Sequence, residues 1–389
     1  MTGPAAPAAP AEGAPRRRSL VERVRAVALL PAIAIGLALV IGGIVIILSS
    51  PLIRGFDLAL PLVAYRALAE GAFGSVNAVV NTLVNATPLV LAGLAVGIGF
   101  KAGLFNIGAQ GQFLLGALSA TVAAIALNDA SPWVAIPLSL LAGMAGGLAW
   151  GFIPGFLKAF TGAHEVVTTI MLNFVAIHLV AGVISGPLRG AEVTFARTDD
   201  FAAAGLPLLI GRNGHLGLLF ALVAVPLAWW IIYRSTVGFE IRTVGANPDA
   251  ARYAGMHPRW ITILTMSACG LLAGLAGAGE ILGEVGYMPA SYGTTVGFDA
   301  IAVALLGRAH PIGILFAGLL FGAMQAGAGL MQVQAGVPAQ MVGLLQAIIL
   351  FFLAAELIVR QVLRVRTGDG ELVPELQTVS QSYGDQASR

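Results

Sequence analysis

Charged residues are scarce in this sequence, and their scarcity excludes most classes of soluble protein. Only 10% of the 389 residues are Asp, Glu, Lys or Arg, against roughly 25% in soluble globular domains. Hydrophobic residues reach 58%, and the mean hydropathy is +0.88. The formal net charge of +2 does not fit a nucleic-acid-binding protein, which needs a large excess of positive charge. The chain is therefore predicted to be an all-α polytopic membrane protein.

Cysteine and lysine are nearly absent as well. The single cysteine, Cys269, excludes a disulfide within the chain. Neither of the two lysines, Lys101 and Lys158, follows a glycine, so the Gly-Lys loop that cradles nucleotide phosphates is missing. The motifs H-E-x-x-H, G-x-S-x-G and C-x-x-C do not occur. We therefore predict no ATPase site, no other enzyme activity, no metal site and no bound cofactor.

Long apolar runs make up most of the chain. Ten of them approach or exceed the roughly 20 residues that a helix needs to cross the hydrocarbon core. They lie at residues 26–49, 77–100, 103–128, 132–160, 164–185, 215–233, 260–282, 285–308, 311–332 and 336–360. The run at 285–308 contains Pro289 and Asp299 and is strongly apolar only near its end. We expect a short or re-entrant helix there.

The distribution of basic residues orients these spans. Residues 1–25 are rich in Pro and Ala and then basic, which predicts a disordered cytoplasmic tail before a transmembrane domain at 26–360. The loop 234–260 carries a net charge of +2, whereas the loop 186–213 is neutral. Cytoplasmic loops carry the excess of Lys and Arg. Ten spans therefore place 234–260 and both chain ends, including a tail at 361–389, in the cytoplasm.

A short repeat divides the spans into two groups of five. Gly-Leu-Ala-Trp-Gly at 147–151, in the fourth span, resembles Gly-Leu-Leu-Phe-Gly at 318–322, in the ninth. Leu-Leu-Gly at 114–116 recurs at 305–307. Spans five apart cross in opposite directions, so the repeat indicates two inverted five-helix halves. Coincidence in a chain rich in Gly and Leu is the alternative.

Polar side chains interrupt several spans. Glu165, Thr169 and Asn173 recur every four residues and share one face of the fifth span. Polar groups within a membrane face the bundle interior or a cavity. We predict a translocation path along the second, third and fifth spans, lined by Asn81, Asn85, Asn106, Gln110, Gln112, Thr169 and Asn173. Hydrogen bonding between helices is the alternative role, and for Glu165 a place at the positive helix end is favoured over the path.

The chemistry of this set limits the cargo. Asn, Gln and Thr predominate, and no Lys or Arg lies in the middle of a span, so an anionic solute would leave its charge unpaired. A neutral solute rich in hydroxyl or amide groups fits better. An ion-coupled secondary transporter is an alternative that needs a carboxylate in mid-membrane, where Glu165 and Asp299 come closest. A scaffold without transport activity would not require a polar stripe at all.

The loop at 234–260 carries the signals of a short helix. Asn247 suits the N-cap, Pro248 the first helical position and Asp249 the positive end of the helix dipole. Gly255 is a natural stop. The resulting helix of about two turns, roughly 10 Å long, is marginal in water on its own. Either a groove on a partner or the protein's own surface must hold it.

Four stretches of the sequence, taken together, resemble one family of transport proteins. They are KAGLFNIGAQGQ at 101–112, EVVTTIMLN at 165–173, GFEIRTVGANPDAARYAG at 238–255 and GFDAIAVALLGR at 297–308. In order and spacing they resemble the ribose, branched-chain amino acid and nucleoside permeases of ABC importers, and the nucleoside/simple-sugar branch most closely. The resemblance covers residues 77–360, and the two ends of the chain fall outside it.

This resemblance implies a function and a set of partners. The chain would be a permease subunit in a bacterial cytoplasmic (inner) membrane, carrying a nucleoside or, alternatively, a ribose-type sugar. A partner ATPase would bind ATP, an extracytoplasmic solute-binding protein would supply the cargo, and a second permease, related or identical, would complete the path. The short loop helix would be the coupling helix that contacts the ATPase, through Gly245, Asn247, Pro248, Ala250, Ala251, Tyr253, Ala254 and Gly255.

Overall fold

A computed structural model describes residues 20–53, 55–191, 194–292 and 294–354. Most of both predicted tails therefore lies outside the described residues. The described part folds into helices α1 (Leu20–Ile53), α2 (Leu60–Phe73), α3 (Val76–Lys101), α4 (Ala109–Ala126), α5 (Pro132–Thr161), α6 (Glu165–Ser185), α7 (Gly217–Arg234), α8 (Thr236–Ala246), α9 (Pro248–Tyr253), α10 (Pro258–Glu280), α11 (Val296–Leu306), α12 (Pro311–Ala335) and α13 (Gln340–Ala354). A π-helical turn (Ile281–Val285) continues α10, and strands β1 (Leu208–Ile210) and β2 (Gly214–His215) pair antiparallel.

The ten predicted spans each coincide with a helix. Within the described residues, α1, α3 to α7, α10 and α12 are long and apolar enough to cross a membrane, while α11 and α13 are shorter apolar helices. The expectation of a short helix within 285–308 is confirmed, because only Val296–Leu306 is α-helical there. The third span starts later than predicted, at Ala109, because the chain turns at Gly103, whose φ of 68° is left-handed.

Helix α2 was not predicted as a span, and its 14 residues are too few to cross a membrane. Its buried side chains, Leu60, Ala64, Ala67 and Ala72, fall at helical spacing on one face. That face packs on α12, where the backbone of Leu68 lies so close to Gly327 that a side chain there would overlap it. The helix is therefore an extra packing element on the bundle.

Small residues set the distance between the central helices, as is usual in membranes. A Cβ atom at Gly147 of α5 would lie 2.6 Å from the Cα of Gly274 in α10. In the other half of the chain, a Cβ atom at Gly322 of α12 would lie 2.8 Å from the Cα of Ala86 in α3. Gly147 and Gly322 both belong to the Gly-x-x-x-Gly repeat seen in the sequence. Both copies of the repeat therefore lie where one helix packs closely on another.

The helix contacts themselves repeat between two halves, α1 with α3 to α6 and α7 with α10 to α13. The second helix of each half packs on the fourth helix of the other, α3 on α12 and α10 on α5. The third helix of each half packs on the second of the other, α4 on α10 and α11 on α3. Spans five apart cross in opposite directions, so this pattern supports the predicted pair of inverted halves.

The helix ends gather on two faces of the bundle. On one face the end of α5 meets the start of α10, where Phe160 and Trp260 are in edge-to-face contact, and the end of α7 meets the start of α12, where Tyr233 lies 5.4 Å from His310. We call it the basic face because, among the described residues after α1, its acidic residues are Glu165, Glu240 and Asp249, whereas its basic residues are Lys101, Lys158, Arg234, Arg242, Arg252, Arg259 and Arg308.

Candidate translocation path and coupling site

Two buried amide side chains bond to each other just before α4. Asn106 donates to Gln112 Oε1 at 3.0 Å, and Gln112 donates to Asn106 Oδ1 at 3.3 Å. Asn106 Oδ1 also accepts the N–H of Gly108 at 3.0 Å. Asn106 and Gln112 are almost without solvent exposure. The pair therefore fixes the turn that leads into α4.

A third amide, Asn173 of α6, ties its helix to the same turn. Its Oδ1 accepts the N–H of Gly111 at 2.8 Å, and its Nδ2 donates to the carbonyl of Ile107 at 2.9 Å. Thr169, one turn earlier, is buried and donates to the carbonyl of Glu165 in its own helix at 2.7 Å. The predicted polar stripe of α6 therefore faces α4, and both ends of the Asn173 amide have partners within the chain.

The fourth amide, Gln110, joins α4 to α11. Its Oε1 accepts the N–H of Gly297 at 2.9 Å, and its Nε2 donates to the carbonyl of Thr294 at 2.8 Å. The two helix N-termini are in direct backbone contact, since a Cβ atom at Gly297 would lie 2.7 Å from the carbonyl carbon of Ala109 and closer still to Gln110. Helices α4 and α11 thus start from one point and run in opposite directions.

Helix α6 gives the depth of this point. Asn173, which contacts it, lies eight residues after the start of α6 and twelve before its end. At 1.5 Å per residue, the meeting point is about 12 Å from one end and about 18 Å from the other. The two N-termini therefore meet near the middle of the membrane. Broken helices of this kind mark the substrate sites of many transporters.

The amides satisfy backbone groups that water cannot reach at this depth. The first N–H groups of a helix lack partners within the helix, and an unpaired backbone group in hydrocarbon costs several kcal/mol. The oxygens of Asn106, Gln110 and Asn173 accept N–H groups at the starts of α4 and α11. The contacts place these side chains against the chain itself. Their predicted contact with cargo stays a prediction.

Asn81 and Asn85 lie together on α3, one turn apart and half-buried. Asn85 donates to the carbonyl of Asn81 at 2.8 Å, and Asn213 donates to Asn81 Oδ1 at 3.2 Å. They lie toward the face opposite the basic face, near the turn between β1 and β2. The structure therefore separates them from the amides around α4.

A second polar group, mostly missed by sequence reasoning, lies at the break between α10 and α11. Tyr292 donates to Glu280 Oε1 at 2.5 Å, while Glu280 Oε2 is buried and has no partner among the described residues. Asp299 Oδ2 accepts from Thr295 Oγ1 at 2.9 Å and from Gln325 Nε2 at 3.4 Å. Asp299 thus bonds to α12 as well as to the start of its own helix, and nothing in the sequence pointed to Gln325 as its partner.

Glu165 has a partner that the sequence analysis did not identify. Lys158 Nζ lies 2.5 Å from Glu165 Oε2, across the turn between α5 and α6. Glu165 also stands in the first turn of α6, where the helix dipole favours a negative charge. Glu165 therefore forms an ion pair at the basic face.

No group of three or more His, Cys, Asp or Glu side chains that could hold a metal ion is found in the part of the chain described.

The capped helix predicted in the 234–260 loop is present as α9. Asn247 Oδ1 accepts the N–H groups of Asp249 and Ala250 at 3.0 and 2.9 Å. Gly255 ends the helical segment with a left-handed φ of 82°. Tyr253 is 95% exposed, whereas Ala251 is fully buried against the protein itself. Of the residues predicted to contact the ATPase, Ala251 therefore turns inward, and the exposed ones are Asn247, Pro248, Ala250, Tyr253, Ala254 and Gly255.

The loop is joined to the membrane domain by a backbone contact. A Cβ atom at Gly245 would lie 2.9 Å from the Cα of Ala102, and one at Gly103 would lie 3.0 Å from the carbonyl oxygen of Gly245. Residues 101–103 lead directly into the turn held by Asn106. The end of α8 therefore rests on the segment that positions the start of α4.

Comparison with known proteins decides the family. The model of the family described as "Branched-chain amino acid transport system / permease component" matches residues 78–354. The chain belongs to this permease family. It is 40% identical to the guanosine ABC transporter permease protein NupP of Bacillus subtilis, over 86% of this chain and 95% of that one. No solved structure matches.

Two further relatives of the permease bear on its cargo and assembly. The glucose ABC transporter permease protein TsgB13 of Haloferax volcanii is 36% identical, over 83% of this chain and 86% of that one. The guanosine ABC transporter permease protein NupQ of Bacillus subtilis is 29% identical, over 63% of this chain and 79% of that one. The permease is thus similar to two guanosine permease proteins of one bacterium.

Proposed function

We propose that this permease forms part of an ATP-driven importer for nucleosides. The observation that carries the proposal is the 40% identity to a guanosine permease over nearly the whole of that protein. The polar groups at the broken helices agree with it. They are amides, hydroxyls and carboxylates, and the described Lys and Arg residues lie at the basic face or toward the opposite face. A neutral solute with many hydrogen-bonding groups suits this lining, whereas an anion would meet the carboxylates of Glu280 and Asp299 and no described Lys or Arg side chain.

A simple sugar is the second candidate cargo. It is favoured by the similarity to a glucose permease, which is only slightly lower than that to the guanosine permease. Both cargoes are neutral and rich in hydroxyl groups. An ion-coupled secondary transporter is not supported, because the chain belongs to a permease family of ABC importers.

The proposed assembly contains three partners. An ATPase subunit binds the exposed surface of α9, where Tyr253 projects, and a solute-binding protein delivers the nucleoside to the opposite face. A second permease completes the path. We propose a related rather than an identical chain for it, because Bacillus subtilis has two guanosine permease proteins and both are similar to this one.

The cargo is tested by reconstitution. Proteoliposomes containing the permease, its ATPase, the second permease and the loaded binding protein should take up labelled guanosine on addition of ATP. Labelled uridine, ribose and glucose are measured in parallel under the same conditions. Uptake of ribose or glucose without any nucleoside would establish the sugar importer instead.

The proposed orientation places the basic face in the cytoplasm of a bacterial cell, as its excess of Lys and Arg predicts. Single cysteines at Asp200 and Ala250, in a chain with Cys269 replaced by alanine, should react with a membrane-impermeant maleimide from opposite sides of intact cells. Both positions are exposed, Asp200 with 69% of its side chain accessible. Labelling of both cysteines from outside would disprove this arrangement.

A further inference from the structure

The chain between α10 and α11 is irregular, and its end reaches a depth where irregular backbone is rare. Thr294, at that end, bonds to Gln110 at the meeting point of α4 and α11, about 12 Å from the basic face by the count along α6. Non-helical backbone at such depth is tolerated only where it is buried in protein or lines a water-filled cavity. At the end of the segment, Ser291 and Thr295 are exposed and Tyr292 and Thr294 are half-buried. The end of the segment is therefore not buried within this chain.

Side chains at the end of this segment suit a hydroxyl-rich, partly flat solute. Asp299 is half-exposed, and its Oδ2 is held by Thr295 and Gln325. Phe298, next to it, is 42% exposed. A fixed carboxylate accepts two adjacent hydroxyl groups at once, and an aromatic ring provides a flat face for stacking.

An unpaired group lies at the other end of the same segment. Glu280 Oε1 is held by Tyr292, but the buried Oε2 has no partner among the described residues. A buried carboxylate oxygen without a donor is costly, and native proteins pair such atoms with protein, water or ligand. A hydroxyl donor passing along the segment would supply what this oxygen lacks.

We propose that Asp299 and Phe298 form a cargo-binding site within the membrane, in which Asp299 accepts the vicinal hydroxyls of a ribose and Phe298 stacks on the base. Glu280 offers the next acceptor toward the opposite face. The stacking part rests on the nucleoside importer proposed above. Recognition of the hydroxyl pair does not, because free ribose carries a hydroxyl pair too.

The experiment compares Asp299→Asn with wild type in the reconstituted importer. Initial uptake rates are measured for guanosine and for 2′,3′-dideoxyguanosine, each delivered by the same wild-type binding protein. Dividing the ratio of the two rates in the variant by the same ratio in wild type cancels the preference of the binding protein. We expect the preference for guanosine to fall about tenfold in the variant, the effect of losing one charge-assisted pair of hydrogen bonds. Asp200→Asn, an exposed carboxylate on the opposite face, is the matched control and should leave the ratio unchanged.

Phe298→Ala keeps the proposal testable if Asp299→Asn fails to fold. Its exposed ring contributes little to stability, so the variant should lower guanosine uptake several-fold and leave ribose uptake unchanged.

An unchanged guanosine preference in Asp299→Asn, or an equal fall for both nucleosides, would make Asp299 a structural anchor and overturn the site. If wild type carries ribose alone, the nucleoside function fails, while the ratio of ribose to dideoxyribose uptake in Asp299→Asn still decides the hydroxyl site.

Discussion

The two halves of the chain interrupt their helices in corresponding places, and the two interruptions differ in character. The first, between α3 and α4, is short and closed by amides with little or no exposure, Asn106 and Gln112 among them. The second, between α10 and α11, is longer, half-exposed and lined by Glu280 and Asp299. The same architectural element therefore holds the bundle together in one half and opens it toward cargo in the other.

The contact between the two interruptions is the most sensitive to substitution. Gly297→Ala places a Cβ atom 2.7 Å from the carbonyl carbon of Ala109, against backbone that has no room to move aside. We expect the starts of α4 and α11 to separate and the yield of detergent-extracted, monodisperse permease to fall at least tenfold. Gly279→Ala is the control, since a Cβ atom there meets nothing within 4 Å. Normal yields for both variants would show that the two helix starts do not depend on each other.

The proposed coupling helix α9 is connected to the first interruption, because Gly245, just before α9, packs against residues 101–103. Tyr253→Ala removes an exposed ring and should not change the stability of the permease itself. Stimulation of ATP hydrolysis by the loaded binding protein should fall about tenfold, as expected when one aromatic contact of at least 1.4 kcal/mol is lost. Trp133, 91% exposed on the opposite face, gives the matched control Trp133→Ala. Equal stimulation in both variants would exclude α9 from the ATPase interface.

Substitution can distinguish whether the amides around the first interruption hold helices together or line the path of the cargo. Asn173→Leu leaves the N–H of Gly111 and the carbonyl of Ile107 without partners, at a cost of roughly 1–3 kcal/mol for each group. The midpoint of thermal unfolding should fall and the cargo preference should stay the same. Asn85→Leu, whose amide donates to Asn81 of the same helix, should unfold close to wild type. A stable Asn173→Leu variant with slow uptake would instead place Asn173 on the path, as the sequence first suggested.

The smallest expected effect is a change of stability with pH at the second interruption, between α10 and α11. His215 packs against Gly283, in the π-helical turn that begins this interruption, and burial lowers the pKa of its imidazole. Below the usual value of about 6.5, the unfolded chain takes up a proton that the folded chain refuses. Stability is therefore complete above that pH and is lost as the pH falls toward the lowered pKa of the folded state. His215→Asn keeps an acceptor for the N–H of Gly217, and its thermal midpoint should vary less between pH 7 and 5 than that of wild type.

Hydropathy and capping signals predicted much of this architecture, because they depend on local sequence. The ten apolar segments, the short helix before Arg308 and the capped α9 all follow from residues that are close together in the chain. The partners of Gln110 do not, since Thr294 and Gly297 lie more than 180 residues away. An amide side chain within an apolar run indicates that the amide needs a hydrogen-bond partner. Only the packing of the helices shows whether that partner is cargo or backbone.

At two places the structure differs from the prediction made from the sequence, and each difference has a specific cause. Helix α2 is amphipathic but short, so a window sized for a membrane crossing passes over it. Ala251 has no sequence feature to distinguish it from Ala250, yet only Ala251 turns inward and is fully buried. Its burial means that a bulky residue at 251 would displace α9 from the permease, whereas the same change at Ala250 acts on the partner surface alone.

The contact between two helix N-termini in the middle of the membrane also affects how easily cations could leak across it. Each helix N-terminus carries a partial positive charge of about half an elementary charge, and the amides that cap these two are neutral. Their fields add at one point, where the surrounding protein screens them poorly. Asp299 offsets part of this potential on the half-exposed side, and among the described residues no carboxylate bonds to the N–H groups on the buried side. A sodium ion or a proton approaching the buried side would be repelled, so under the proposed function the geometry that admits a neutral solute would also protect the membrane potential.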